Sequence, residues 1–353
     1  MEKLTKLREE LTENKLDALL ITSPINRRYV TGFTGTAGSA IVTEDAAIFV
    51  TDFRYIEQAT EQAKDFEIVQ HQQSMIETLH EQLQKRNVKH VGFEKNHVAF
   101  SEYEQYQKTF AAELVPVSGL VEDLRLIKTE SELAIMKQAA KIVDDAFDHI
   151  QNYLKPGVKE IDIANELEFF MRRQGATSSS FDTIVASGYR GALPHGVAST
   201  KEIQHGELVT MDYGALYQGY CSDTTRTVAI GEISDELRKI YDTVLMAQLK
   251  GVEGVKPGIT GIEGDAIVRD YITEQGYGDY FGHSTGHGLG MEVHESPALS
   301  HRSQTVLKPG MVVTVEPGIY VPNVGGCRIE DDLVVTESGN ERLTHANKDL
   351  IQL

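Results

Sequence analysis

Two stretches of the chain, about a hundred residues apart, carry the same order of local signals. The Lys155-Pro156-Gly157 break is met again at Lys256-Pro257-Gly258, and the Gln174-Gly175 stop at Gln275-Gly276, so a shift of 101 superposes the two sets. The same shift takes Val143 to Val244, Ile161 to Ile262, Leu167 to Val268 and Phe170 to Tyr271. Downstream, GELVTMDYG from Gly206 matches GMVVTVEPG from Gly310 at a shift of 104, and Asp212 falls on Glu316. A helix, break, helix and strand-pair unit written twice calls for a domain with an internal pseudo-twofold. The repeat lands on acidic residues inside strands.

The duplicated part begins where Thr129 and Glu132 form a capping-box pattern ahead of a long stripe of Leu133, Met136, Ala140, Val143, Phe147, Ile150 and Leu154. Before it, strand-like runs (17–22, 46–51, 66–70 and 90–94) alternate with helical patterns near 54–64 and 75–86, after an amphipathic first helix with Leu4, Leu7 and Leu11. This reads as an α/β domain, 1–122, followed by an α+β domain, 123–353. A chain of 353 residues is long for one core and suits two.

The TGFTGTAG run, with Gly32, Gly35 and Gly38, lacks the Gly-Lys-Ser/Thr of a phosphate loop and reads as a turn or domain contact. Arg27, Arg28, Arg54 and Tyr55 beside it read equally as surface residues or as groups reaching a neighbouring site. The net charge of −19, from 34 basic against 53 acidic residues, opposes binding to a phosphate backbone, so nucleic acid is not an expected partner. No apolar run approaches the roughly 20 residues needed to cross a bilayer, and no membrane association is expected. The two cysteines, Cys221 and Cys327, read as free structural thiols and fit a reducing cytoplasm.

Strand parity tests whether the acids can meet. If Tyr217 and Tyr220 face each other across a hairpin, Asp212 opposes Thr225 and Asp223 lies on the same sheet face, a diagonal neighbour at roughly 7 Å. A loop centred near Asn323 sets Glu316 opposite Glu330 in the second copy. Four such carboxylates without cations would repel one another and take up protons. Two divalent ions would neutralise them. Oxygen-rich ligation with one imidazole favours manganese, with cobalt or iron next and zinc still open. His287 in GHSTGHGLGMEVHE is the natural imidazole ligand. His283 stands four residues before it, but the surrounding glycines argue for loop or strand rather than helix. His294-Glu295 does not begin an HExxH motif, because no second histidine follows at that spacing.

The motifs MDYG with SDTTR, GHGLGMEVHE, VEPGIY and RIEDDL resemble those of the pita-bread metallopeptidases, and within them the proline peptidases: Xaa-Pro dipeptidase (prolidase) and aminopeptidase P. The resemblance spans essentially the whole chain. It implies a creatinase-like N-terminal domain, a pita-bread catalytic domain, and metal ligands at Asp212, Asp223, His287, Glu316 and Glu330. By motif position it also implies His195 (in LPHG) and His283 as substrate-binding residues, His294 as stabiliser of the tetrahedral intermediate, and Arg328 as the group orienting Asp223 or neighbouring carboxylates. The implied reaction is hydrolysis of the bond between a first residue and a following proline in small peptides, the metals holding the substrate amine and scissile carbonyl while Glu316 shuttles a proton. A homodimer is implied as well. Prolidase is the first expectation and aminopeptidase P the alternative. A non-catalytic pita-bread binding protein is the reading from another class, and creatinase or methionine aminopeptidase fit less well.

Overall fold

Leu4, Leu7 and Leu11 are buried on one face of α1 (Glu2–Glu13), the helix that opens the computed structural model, which describes residues 2–353. Two units follow along the chain, one ending at Arg125 and the other running from Leu126 to Leu353.

The first unit is built on a six-stranded mixed sheet of β1 (Ala18–Ile21), β2 (Ser39–Thr43), β3 (Ala47–Thr51), β4 (Glu67–Gln70), β5 (His90–Glu94) and β6 (Glu113–Val117), in the order β4-β3-β2-β1-β5-β6. Between β1 and β2 lies α2 (Pro24–Thr31), and α3 (Ile56–Gln62) makes the crossover between parallel β3 and β4. After β4 comes α4 (Met75–Lys85), while α5 (Phe100–Thr109) crosses between parallel β5 and β6 and α6 (Glu122–Leu126) leads out. The α/β expectation holds, with element ends moved by one or two residues. Leu20, Ile41, Ile48, Val50, Leu79 and Leu83 form the core. The glycine run is a turn, and Arg27 is buried beneath it. The guanidinium donates to the carbonyls of Gly38 (2.7 Å) and Gly35 (2.9 Å), so this arginine belongs to the fold of the turn.

In the second unit the capping box forms as its pattern requires. Thr129 Oγ1 accepts from the Glu132 nitrogen and the Glu132 carboxylate accepts from the Thr129 nitrogen at 2.8 Å, starting α7 (Glu130–Ile150). Next come α8 (Glu160–Arg173), β7 (Ser178–Ser179), β8 (Ile184–Ser187), β9 (Glu207–Tyr213), β10 (Ala215–Tyr217), β11 (Tyr220–Cys221) and β12 (Thr224–Ile230). The second copy opens with α9 (Asp235–Gly254) and α10 (Gly261–Glu274), the latter lying at a shift of 101 from α8 over its full 14 residues. Gly157 and Gly258 end the matched turns with φ of 87° and 89°, a left-handed conformation that favours glycine. The remaining strands are β13 (Gly286–Gly288), β14 (Glu295–Leu299), β15 (Val312–Val315), β16 (Gly318–Val321), β17 (Gly325–Arg328), β18 (Asp331–Val335) and β19 (Asn340–Arg342).

Registers fall where parity placed them. Tyr217 pairs with Tyr220 and Asp212 with Thr225. In the second hairpin Val315 pairs with Asp331 and Gly318 with Arg328, so Glu316 and Glu330 occupy the matching step between the two ladders. The copies then meet along β12. Thr225 Oγ1 donates to Glu330 Oε2 at 2.7 Å, and the Glu330 nitrogen donates to the Thr225 carbonyl at 3.1 Å. On either side, the Asp223 nitrogen donates to Asp332 Oδ2 (3.0 Å) and Thr227 Oγ1 to the Arg328 carbonyl (2.8 Å), an antiparallel crossing of the two halves. No helix among the described residues is long and apolar enough to cross a membrane.

Candidate metal centre

Strand ends bring the acids together. Asp212 lies near the end of β9, Asp223 just ahead of β12, Glu316 between β15 and β16, and Glu330 between β17 and β18. All four, with His195, His283, His287, His294 and Arg328, line one cleft of about 490 Å³. Ligand atoms of Asp223, His287 and Glu330 lie within 4.8 Å of one another, and His287 Nε2 is 3.6 Å from Asp223 Oδ2 and 3.5 Å from Glu316 Oε1. The His287 Nδ1 hydrogen bond to the Gly288 carbonyl (3.0 Å) turns Nε2 toward the carboxylates, the tautomer a metal ligand needs. Burial holds this imidazole down to about 4, hence neutral.

Donor chemistry and unsatisfied atoms both fit a pair of divalent cations. Asp212 Oδ1, Asp223 Oδ1 and Glu330 Oε1 are buried with no hydrogen-bond partner, a costly arrangement unless something electropositive meets them. Desolvation, then the charge of Glu330 and Asp212, raises the Asp223 carboxyl well above the carboxylate range, and desolvation with the charge of Glu316 does the same to Glu330. Burial together with Asp212 pushes Glu316 up to about 8. Such a cluster ionises fully only when cations share the space.

The histidines and the arginine surround this cluster. The His294 ring stands edge-on to His287 with centroids 4.3 Å apart. His283 Nδ1 donates to the Ser284 carbonyl (2.8 Å), its Nε2 meets the Tyr320 hydroxyl (2.7 Å), and burial holds the imidazole down to about 4. His195 sits on the exposed loop after β8. Arg328 is buried, and its Nη2 donates to Asp212 Oδ2 at 2.5 Å; of the two targets considered, the neighbouring carboxylate rather than Asp223 is the one it grips. Phe181, Ile184, Val197 and Val293 give the cleft an apolar wall.

Two participants carry no assigned role in the sequence reading. The Tyr320 hydroxyl accepts from Arg328 Nη1 at 2.8 Å while meeting His283, and Asp332 holds the Asp223 backbone. Both sit an even number of residues from a cleft acid, Tyr320 four after Glu316 and Asp332 two after Glu330. The strand parity that paired the acids therefore reaches both.

The description "metallopeptidase family M24" fits residues 134–337, and that of the creatinase/prolidase N-terminal domain fits residues 3–127. The peptidase YqhT of Bacillus subtilis is 59% identical, with 99% of this chain and 100% of the relative covered. The Xaa-Pro dipeptidase of Pyrococcus furiosus is 41% identical, with 99% of each covered. Among solved structures, the Xaa-Pro dipeptidase from Bacillus anthracis is 57% identical and superposes with a TM-score of 0.99, covering 100% of this chain and 99% of that one.

Proposed function

The chain belongs to metallopeptidase family M24, and on that footing we propose that it hydrolyses the bond between an N-terminal residue and a following proline, with Xaa-Pro dipeptides as its first substrates. The observation that carries the reading is the convergence of Asp223, His287 and Glu330 within 4.8 Å, beside buried carboxylate oxygens that no protein donor meets. Asp212, Asp223, His287, Glu316 and Glu330 would hold two divalent ions, manganese first, in the catalytic domain spanning 123–353, with the creatinase-like domain at 1–122. When bound, the pair supplies Lewis acidity at the scissile carbonyl and a water acidified toward neutral pH.

The protein's own groups do the rest. Glu316 takes up a proton from the attacking water and delivers it to the prolyl nitrogen, which as a tertiary amide has no N–H of its own and leaves only once protonated. His294 donates toward the oxyanion, while His195 and His283 hold the substrate against the apolar wall of Phe181, Ile184, Val197 and Val293. Arg328 keeps Asp212 in place through its 2.5 Å hydrogen bond. Two buried cysteines in a chain of this size suit a cytoplasmic location, and the homodimer implied by resemblance is read by sedimentation.

The test is a paired assay on manganese-loaded protein. Release of the first residue is compared for an Xaa-Pro dipeptide and an Xaa-Pro-Xaa tripeptide, with a chelated control. Faster turnover of the dipeptide is expected, preference for the tripeptide moves the assignment to aminopeptidase P, and no cleavage with any divalent metal overturns the peptidase reading of this site.

A further inference from the structure

Two buried acids lie outside the cleft, each on one of the duplicated helices, and each is tied to a loop bearing a cleft histidine. Glu160 is the first residue of α8 and its side chain is fully buried. One oxygen accepts from the nitrogen and the hydroxyl of Ser187, both at 2.8 Å, and the other from the nitrogen (3.2 Å) and hydroxyl (2.6 Å) of Ser199. Ser187 and Ser199 are the two ends of the loop that carries His195. Within it, Arg190 bonds Glu160 through Nη1 and the Val197 carbonyl through Nη2 at 2.8 Å. The loop's Pro194 carbonyl accepts from Arg328 Nη1 at 3.2 Å, which puts the clamped segment in direct touch with the residue that holds Asp212.

The second copy repeats the device with different residues. Asp265, on α10 and nearly fully buried, accepts through Oδ1 from the Thr285 nitrogen (3.0 Å) and hydroxyl (2.9 Å). Arg269, one turn on, bonds both Asp265 oxygens and donates to the carbonyls of His283 (2.7 Å) and Phe281 (3.1 Å). The Thr285 carbonyl in turn accepts from the Glu316 nitrogen at 2.8 Å. An acid on a helix, paired with an arginine, thus fixes the backbone on either side of a histidine in each half. Neither carboxylate lines the cleft.

We propose that Glu160 with Arg190, and Asp265 with Arg269, are positioning residues that set His195 and His283 for substrate, separately from the metal ligands. The proposal rests on the peptidase reading above for the role of the two histidines. Charge-assisted bonds from a buried carboxylate are short and strong, and misplacement of a binding group by about 1 Å can cost on the order of 100-fold in rate. Neither acid bonds a proposed metal ligand directly, so loosening a clamp acts first on the histidine's backbone and weakens substrate binding more than it weakens metal binding.

The test compares Glu160→Gln and Asp265→Asn with Ser199→Ala, a milder change that removes the hydroxyl's bonds to Glu160 and to the Lys201 nitrogen and keeps the buried charge. The expected result is a rise in KM of about tenfold or more for an Xaa-Pro dipeptide, with manganese stoichiometry and affinity by titration calorimetry unchanged. Glu160→Gln should add nothing in a His195→Ala background yet add fully in a His283→Ala background, with the reverse for Asp265→Asn. Full additivity within a clamp and its own histidine, or manganese affinity falling in step with activity, overturns the proposal. Hydrogen exchange on the manganese-loaded protein gives a readout without turnover: faster exchange confined to 188–199 in Glu160→Gln or Ser199→Ala and to 281–285 in Asp265→Asn is expected, and unchanged exchange there sinks the idea. Should the wild type cleave no prolyl peptide, the peptidase reading fails while the exchange result still decides whether the clamps hold the loops.

Discussion

Arg328 and Asp212 are joined across the two copies of the duplicated unit by a 2.5 Å hydrogen bond, both side chains largely withdrawn from water. The guanidinium also donates to the Tyr320 hydroxyl, the Pro194 carbonyl and Thr225 Oγ1, so its fork shape is used on every side. Lysine offers charge without that fork. Arg328→Lys is expected to lower kcat/KM by at least tenfold, and to cost about 3–5 kcal/mol of stability if Asp212 is left unpaired. Denaturant unfolding alongside kinetics separates the two effects, and wild-type values in both would remove Arg328 from its place here.

Glu316 lies between the ladders of the second hairpin and faces His287 at 3.5 Å. Glu316→Gln keeps the shape and removes the basic oxygen. Turnover should fall by about 10²–10⁴-fold, the usual range for loss of a general base, with an unchanged far-ultraviolet circular dichroism spectrum. An undiminished rate would take Glu316 out of the proton path.

Tyr320 joins Arg328 to His283 through one hydroxyl. Tyr320→Phe leaves both partners short of a hydrogen bond in a buried place, a cost of about 1–3 kcal/mol. Its effect on activity should be non-additive with that of His283→Ala, which a double-mutant cycle measures; strict additivity would show that the hydroxyl does not act on the histidine.

Behind Glu330 lies a buried charge cluster. Asp331, fully shielded, accepts from Arg226 Nη2 at 2.7 Å, Lys348 Nζ at 2.6 Å and Thr344 Oγ1 at 3.0 Å. Asp331→Asn strands two cations in the interior and should cost about 3–5 kcal/mol, a fall in melting temperature on the order of 10 °C for a domain of this size. A melting temperature within 2 °C or so of wild type would mean that the cluster relaxes into water.

The duplicated helices were legible because glycine, proline and capping residues punctuate them and apolar stripes repeat at one offset. The hairpin registers were legible because Tyr217-Gln-Gly-Tyr220 makes a short turn, and every partner from Asp212 to Thr225 then follows by counting. What counting misses is contact between elements far apart in the chain. Glu160 reads as an ordinary first-turn helix acid, and only the fold shows Ser187 and Ser199 closing on it from 27 and 39 residues away. Arg27 reads equally as a surface residue or as a group reaching a neighbouring site for the same reason, since the carbonyls it binds belong to a turn whose shape is not written in its composition. Arg328 was expected to orient a carboxylate, but which one depended on how two hairpins cross, 116 residues apart.

That crossing bears on the proposed ligands as well. Asp212 and Asp223 come from one copy, His287, Glu316 and Glu330 from the other, and Thr225 and Glu330 exchange hydrogen bonds where the copies meet. Two separate chains would have to find each other by collision to build such a cluster, and dilution would take it apart. Joined in one polypeptide, the halves form a dimer with no dissociation constant, so the integrity of the proposed metal centre is independent of protein concentration.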